Sequence, residues 1–248
     1  MVCVDTGYPF KNQVYIELEM KTNTIFPLYL RIPGWCGKFT VSVNGQEVNK
    51  KAESGKFLRI YREWADHDRI EIEMEMKLSV TQWPRNGSVT LNRGPLSYSV
   101  RIEEEWKKHL DIGYDAYLGT EEWPNYEVIP KTPWNYGLII NRKDVESSVS
   151  VYEKKQIPDQ PWTLEGSPVE IKVKAKRIPN WTLQDQTVCE LQNSPIHSDE
   201  PVEEITMIPL GCARLRMSCL PTIEEGDEAN EWVKQPEHIP FSRRPKNK

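Results

Sequence analysis

Long apolar runs are absent from this 248-residue chain, and without a stretch of about 18 apolar residues the sequence holds no candidate transmembrane helix. Paired cysteine spacing is absent as well. The five cysteines, Cys3, Cys36, Cys189, Cys212 and Cys219, are odd in number and none stands in a CxxC, so neither a disulfide scaffold nor a structural zinc site is indicated. Positive charge is also short. With 32 Lys and Arg against 37 Asp and Glu, the net charge of −5 argues against a phosphate-neutralising surface, and hence against nucleic acid. The basic cluster "RRPKNK" sits at the very end and reads as a frayed terminus. The opening "MVCVDTGYPFKNQ" has no basic-then-apolar leader, so no secretory signal is visible.

Catalytic signatures are missing too. No HExxH, GxSxG, GxGxxG or phosphate-cradling glycine loop occurs. His67, His109, His197 and His238 are isolated in polar company. Glu71, Glu73 and Glu75 point the same way, but nothing apolar surrounds them to separate their acidities, so they read as a solvated strand face. "ADHDR" (65–69) lacks the further oxygen ligands of a calcium loop and reads as a turn between strands. Neither a metal nor a cofactor is expected in this chain.

What is present is alternation. In "VYIELEMK" Val14, Ile16, Leu18 and Met20 share one face while Tyr15, Glu17, Glu19 and Lys21 share the other. "LYLRI" puts Leu28, Leu30 and Ile32 inward, and "FTVSVNG" does the same with Phe39, Val41 and Val43 before ending in Asn44-Gly45. Asn-Gly is a strong hairpin signal, because both central positions of a type I′ turn need positive φ. "RIEIEMEM" segregates Ile70, Ile72, Met74 and Met76 from its glutamates, which a strand does completely and a helix would smear. "PVEIKVKAKRI" repeats the device with Val169, Ile171, Val173 and Ala175 inward. "EEEWKKHL" (103–110) fits one or two helical turns, and 111–168 is rich in Pro, Trp and Tyr with weak periodicity.

The reading is all-β: two packed, jelly-roll-like β-sandwich domains with few helices and 19 prolines. The first spans 1–93 and the second 94–222, whose last strand is a candidate to pack on the first. A loose charged tail follows at 223–248.

Two features invite a functional reading. Cys36 lies at a strand corner beside Trp35 and Gly37, with no His within thirty residues to draw off its proton, so it reads as a structural thiol. Loop aromatics are the other. Trp123, Trp134, Tyr136 and Trp162 are the carbohydrate-contact candidates, because sugar C–H faces stack on exposed rings. The alternative is that such rings plug the sandwich edges or dock another domain.

"FPLYLRIPGWC", "VSVNGQ", "REWADHDRIEIEMEM", "LNRGPLSYSV", "TPWNYGL", "PVEIKVKAKRIPNW" and "EEITMIPLGCARLRM" resemble, in this order, the C-terminal part of the β-L-arabinofuranosidase-like glycosidases, glycoside hydrolase family 127. The resemblance runs from about residue 6 to 221. It departs at His67, where relatives carry a Gly between the two acids. It implies a parent enzyme in which an N-terminal (α/α)6 barrel, the expected partner of this chain, precedes the sandwiches. That barrel supplies a zinc-held cysteine nucleophile and a glutamate for retaining hydrolysis of arabinofuranosides. Neither this cysteine cluster nor the helical segment is found ahead of Tyr8, so no catalytic residue carries over and zinc is expected only in the absent domain. The chain is therefore expected to be a non-catalytic accessory region. The alternatives kept beside it are an oligosaccharide-binding module and a purely structural interface.

Overall fold

The computed structural model describes residues 1–49, 53–109, 120–184 and 187–234. The chain divides into two compact units, Met1–Ser79 with Asn92–Leu96, and Val80–Leu91 with Ser97–Lys248. Among the described residues the fold is all-β, with only two 3-10 turns, Val145–Ser147 and Leu210–Cys212.

The first unit contains β1 (Val2–Thr6), β2 (Gln13–Leu18), β3 (Thr24–Arg31), β4 (Phe39–Val43), β5 (Gln46–Glu47), β6 (Phe57–Trp64) and β7 (Arg69–Met74). Five of these form one antiparallel sheet in the order β1-β2-β7-β4-β5, and β3 pairs with β6 as a second, two-stranded sheet. The residues that alternate inward meet between the sheets. Leu18, Val41, Val43, Ile70, Ile72 and Met74 from the larger sheet share one core with Leu30, Leu58, Ile60 and Trp64 from the smaller. Each buried aliphatic or aromatic side chain of this kind contributes roughly 1.5–3 kcal/mol. Trp64 is fully buried and satisfies its indole by donating from Nε1 to the Phe26 carbonyl at 3.0 Å.

The turns follow from residue chemistry. Asn44 (φ 52°) and Gly45 (φ 78°) both lie at positive φ between β4 and β5, as a two-residue hairpin requires. His67 (φ 61°) takes the same left-handed conformation between β6 and β7. A glycine would adopt it without the Cβ clash that histidine carries.

The second unit is built on a seven-stranded sheet. Its strands are β8 (Leu78–Gln82), β9 (Val89–Arg93), β10 (Leu96–Val100), β13 (Tyr136–Leu138), β14 (Val149–Glu153), β15 (Val169–Arg177) and β18 (Glu203–Pro209). Their order is β13-β15-β18-β10-β9-β8, with β14 also paired to β15. Val169, Ile171, Val173 and Ala175 of β15 are all buried, as the alternation predicts. Two small hairpins accompany this sheet: β11 (Glu104–His109) with β12 (Asn125–Pro130), and β16 (Leu183–Gln184) with β17 (Thr187–Val188).

Two expectations are corrected. Residues 104–109 form a strand, not helical turns, because all six pair antiparallel with Asn125–Pro130, a partner that is distant in sequence. The segment after 222 is not loose throughout: most of its described residues up to 234 are exposed, but two of its side chains are anchored. Ile223 and Trp232 are buried, and Ile196 bridges both Ile223 and Asn230. Gly137 makes room for this: a Cβ there would stand 2.5 Å from Ile223 Cδ1, so the absent side chain is what lets Ile223 seat on β13. The rest of the proposed tail, 235–248 with its basic cluster, lies outside the described residues.

Candidate functional site

The four aromatics singled out from sequence do not form one platform. Trp123 is the most exposed, at 76%. Trp162 is exposed but keeps part of its ring against Gly211, where a Cβ would meet Cε3 at 2.6 Å. Tyr136 is buried. Its hydroxyl donates to Glu203 Oε2 at 3.0 Å, and burial, this bond and the Glu203 charge push its pKa up to about 12. A ring enclosed in this way offers no face to a sugar, so Tyr136 is a packing residue.

Trp134 is half-buried and belongs to a chain of three indoles. It meets Trp181 edge-on at 5.4 Å, and Trp181 meets Trp232 at 5.1 Å. Trp181 is fully buried and donates from Nε1 to the Cys189 carbonyl at 2.9 Å. The outer side of Trp134 lines a cleft of about 300 Å³ together with Val128, Ile129, Leu183, Val188 and Met217; Glu127 and Arg216 are its charged lining residues.

The thiols are dispersed. Cys36, Cys189 and Cys212 are buried, and Cys3 and Cys219 are half-buried. Cys36 sits in the core of the first unit and donates from Sγ to the Lys38 carbonyl at 3.1 Å. Burial pushes its thiol up, with the Lys38 and Glu75 backbone contacts opposing, so the thiolate is disfavoured there. Among the described residues no three His, Cys, Asp or Glu side chains are grouped so as to hold a metal.

The two outward faces of the first unit differ sharply. On the larger sheet Glu17, Arg69, Glu71 and Glu73 surround Tyr15, with the Arg69 guanidinium 4.7 Å over the Tyr15 ring. On the smaller sheet the outward positions pair across the strands as Ile25 with Glu63, Pro27 with Tyr61, Tyr29 with Arg59, and Arg31 with Phe57. Ile25, Tyr29, Phe57 and Tyr61 are 59%, 56%, 61% and 54% exposed. No aromatic of this face was among the four sequence candidates. The inward alternation of "LYLRI" and "KFLRIYREW" leaves Tyr29, Phe57 and Tyr61 on the wet side, and that was the available signal.

A third feature lies on the inner side. Val2 and Val4 of β1 pair with Leu18 and Ile16, and so face the same way as the core, yet each is 58% exposed. The five-stranded sheet is wider than the two-stranded sheet opposite it, and its flank is left uncovered.

Residues 2–76 match the family model described as the middle domain of GH127 β-L-arabinofuranosidases. The match covers about 30% of the chain. The matched stretch contains "LYLRIPGWC" and the sandwich core around Trp64 and Cys36. Similar solved structures include a glycoside hydrolase at 22% identity and a TM-score of 0.54, which aligns with 90% of this chain and 32% of its own. A GH127 β-L-arabinofuranosidase from Geobacillus stearothermophilus T6 is also 22% identical, with a TM-score of 0.54 and coverage of 93% and 30%. A further GH127 β-arabinofuranosidase is 19% identical, with a TM-score of 0.53 and coverage of 89% and 31%. At this identity the likeness shows the fold alone. The chain spans about a third of the length of these structures. No curated protein matches it.

Proposed function

We propose that the chain is the non-catalytic accessory β-sandwich region of a glycosidase acting on arabinofuranoside-type glycans, with an (α/α)6 catalytic barrel as its partner. The middle-domain match over residues 2–76 supports the family context. The observation that carries the accessory role is the uncovered flank of β1. Val2 and Val4 present core-facing apolar side chains to solvent, which is the surface a neighbouring domain would cover. The dispersed thiols, three of the five buried, agree with chemistry supplied elsewhere.

Mixing this chain with the separately expressed barrel of a GH127 enzyme tests the reading. Co-elution on gel filtration is expected, and Val4→Glu abolishes it by burying an unpaired carboxylate at the contact. Barrel and chain eluting apart, or Val4→Glu co-eluting like the parent, removes the accessory role.

The cleft beside Trp134 favours a second reading, a carbohydrate-binding module. Its apolar wall and its charged Glu127 and Arg216 have the make-up of a small ligand site. Trp134→Ala then weakens retention on arabinan without unfolding the chain.

A further inference from the structure

We propose that the outer face of the β3–β6 sheet is a binding platform for a short carboxylate-bearing oligosaccharide, with Tyr29 and Phe57 stacking on sugar rings and Arg31 holding the acid group. The face is independent of the β1 flank and of the Trp134 cleft, and lies within the stretch that matches the GH127 middle-domain model. Its side chains alternate in kind: Tyr29 stands opposite Arg59, and Phe57 stands opposite Arg31. Tyr29 and Phe57 therefore each have a guanidinium-bearing residue as cross-strand neighbour, at about 5 Å between Cβ atoms, while Tyr61 stands opposite Pro27. Aromatic side chains on a rigid strand lose little entropy on contact, and their faces accept the C–H groups of a sugar ring. The Arg59 guanidinium already lies 4.9 Å over the Tyr61 ring, which fixes it above the sheet. Arg31 has no ion pair among the described residues, although acids outnumber bases in this chain by 37 to 32. A forked, exposed guanidinium opposite Phe57 and two positions along the strand from Tyr29 is suited to a carboxylate.

Size and charge choose among occupants. Two strands of eight residues span roughly 26 Å by 10 Å, about 260 Å². A stable protein interface needs about 800 Å² per partner, so the patch is small for a protein and adequate for a few sugar rings. Nucleic acid is disfavoured. Two arginines offset by Glu63 release few counterions, and the chain as a whole repels a polyphosphate. A neutral glycan would leave Arg31 unused.

The experiment is titration calorimetry on the full chain at low ionic strength with four probes: an oligogalacturonate, its carboxyl-reduced counterpart, a neutral arabino-oligosaccharide and poly(U). The oligogalacturonate is expected to bind, more weakly as salt is raised. Carboxyl reduction, Arg31→Gln and Tyr29→Ala each weaken it about tenfold, the scale of one lost charge-assisted or stacking contact. These side chains are exposed, so unchanged melting temperatures will show that the variants remain folded. The proposal is overturned if the oligogalacturonate does not bind, if its reduced form binds equally well, or if poly(U) binds as tightly. Unchanged binding by the two variants overturns it too. So does concentration-dependent dimerisation that Tyr29→Ala abolishes, which would make this face a protein interface. The barrel co-elution assay reads out separately, so either proposal can fail alone.

Discussion

The Asn44 amide donates from Nδ2 to Asp68 Oδ1 at 2.7 Å, and its Oδ1 accepts the Arg69 N–H at 2.8 Å. One side chain at positive φ thereby ties the β4–β5 hairpin to the turn between β6 and β7. Asp68 is buried, and its second oxygen accepts the Ala65 N–H at 2.9 Å. Asp68→Ala is expected to cost about 2–3 kcal/mol, because both donors are left without their partner. Urea unfolding at neutral pH measures this.

The same carboxylate makes stability fall in acid. Burial pushes the Asp68 pKa up, but the Ala65 N–H, the Asn44 amide and the Arg62 charge outweigh it and hold the group below the ordinary carboxylate range. A carboxyl depressed on folding contributes stability that is present above its unfolded value, near ~3.9, and is lost as pH falls through the folded value. The urea midpoint of the parent is therefore expected to fall below about pH 4 more steeply than that of Asp68→Asn.

His67 gives the opposite slope. Its ring nitrogen lies 2.7 Å from Glu17 Oε1, and this bond together with the Asp66 charge raises its pKa against a small opposing burial effect. A histidine raised on folding contributes stability that is present below its unfolded value, near ~6.5, and is lost as pH rises through the folded value. His67→Gly removes both the ion pair and the left-handed strain. The variant is expected to melt above the parent in alkaline buffer, and the gap to close or reverse in mild acid. A gap that does not vary with pH would contradict this assignment.

Trp181 is the middle ring of the indole chain behind the Trp134 cleft. Trp181→Ala is expected to cost about 3–5 kcal/mol, while Trp123→Ala, at an exposed site, costs less than about 0.5. Thermal unfolding followed by circular dichroism separates the two.

Much of the first unit is legible from alternation. The inward residues of β2, β3, β4 and β7, and the Asn44-Gly45 turn, follow from period and turn chemistry alone. The strand at 104–109 is not legible, since a run of Glu and Lys around one Trp suits a helix locally and is overridden by pairing with Asn125–Pro130. Burial of Ile223 and Trp232 is equally hidden. It depends on the missing side chain of Gly137 and on the Trp181 ring, neither of which is near in sequence. Of the four aromatic candidates, Tyr136 turned inward because a three-residue strand pins it against β15, whereas Tyr29 and Phe57 were overlooked because strand residues read as wall before they read as surface.

The central claim, that bond cleavage belongs to a neighbouring domain, is tested most directly by assaying this chain alone on p-nitrophenyl β-L-arabinofuranoside with zinc and a thiol reductant. The account predicts no turnover above buffer, in the parent and in Cys36→Ser alike. Zinc-dependent release of nitrophenol that disappears in Cys36→Ser would contradict it.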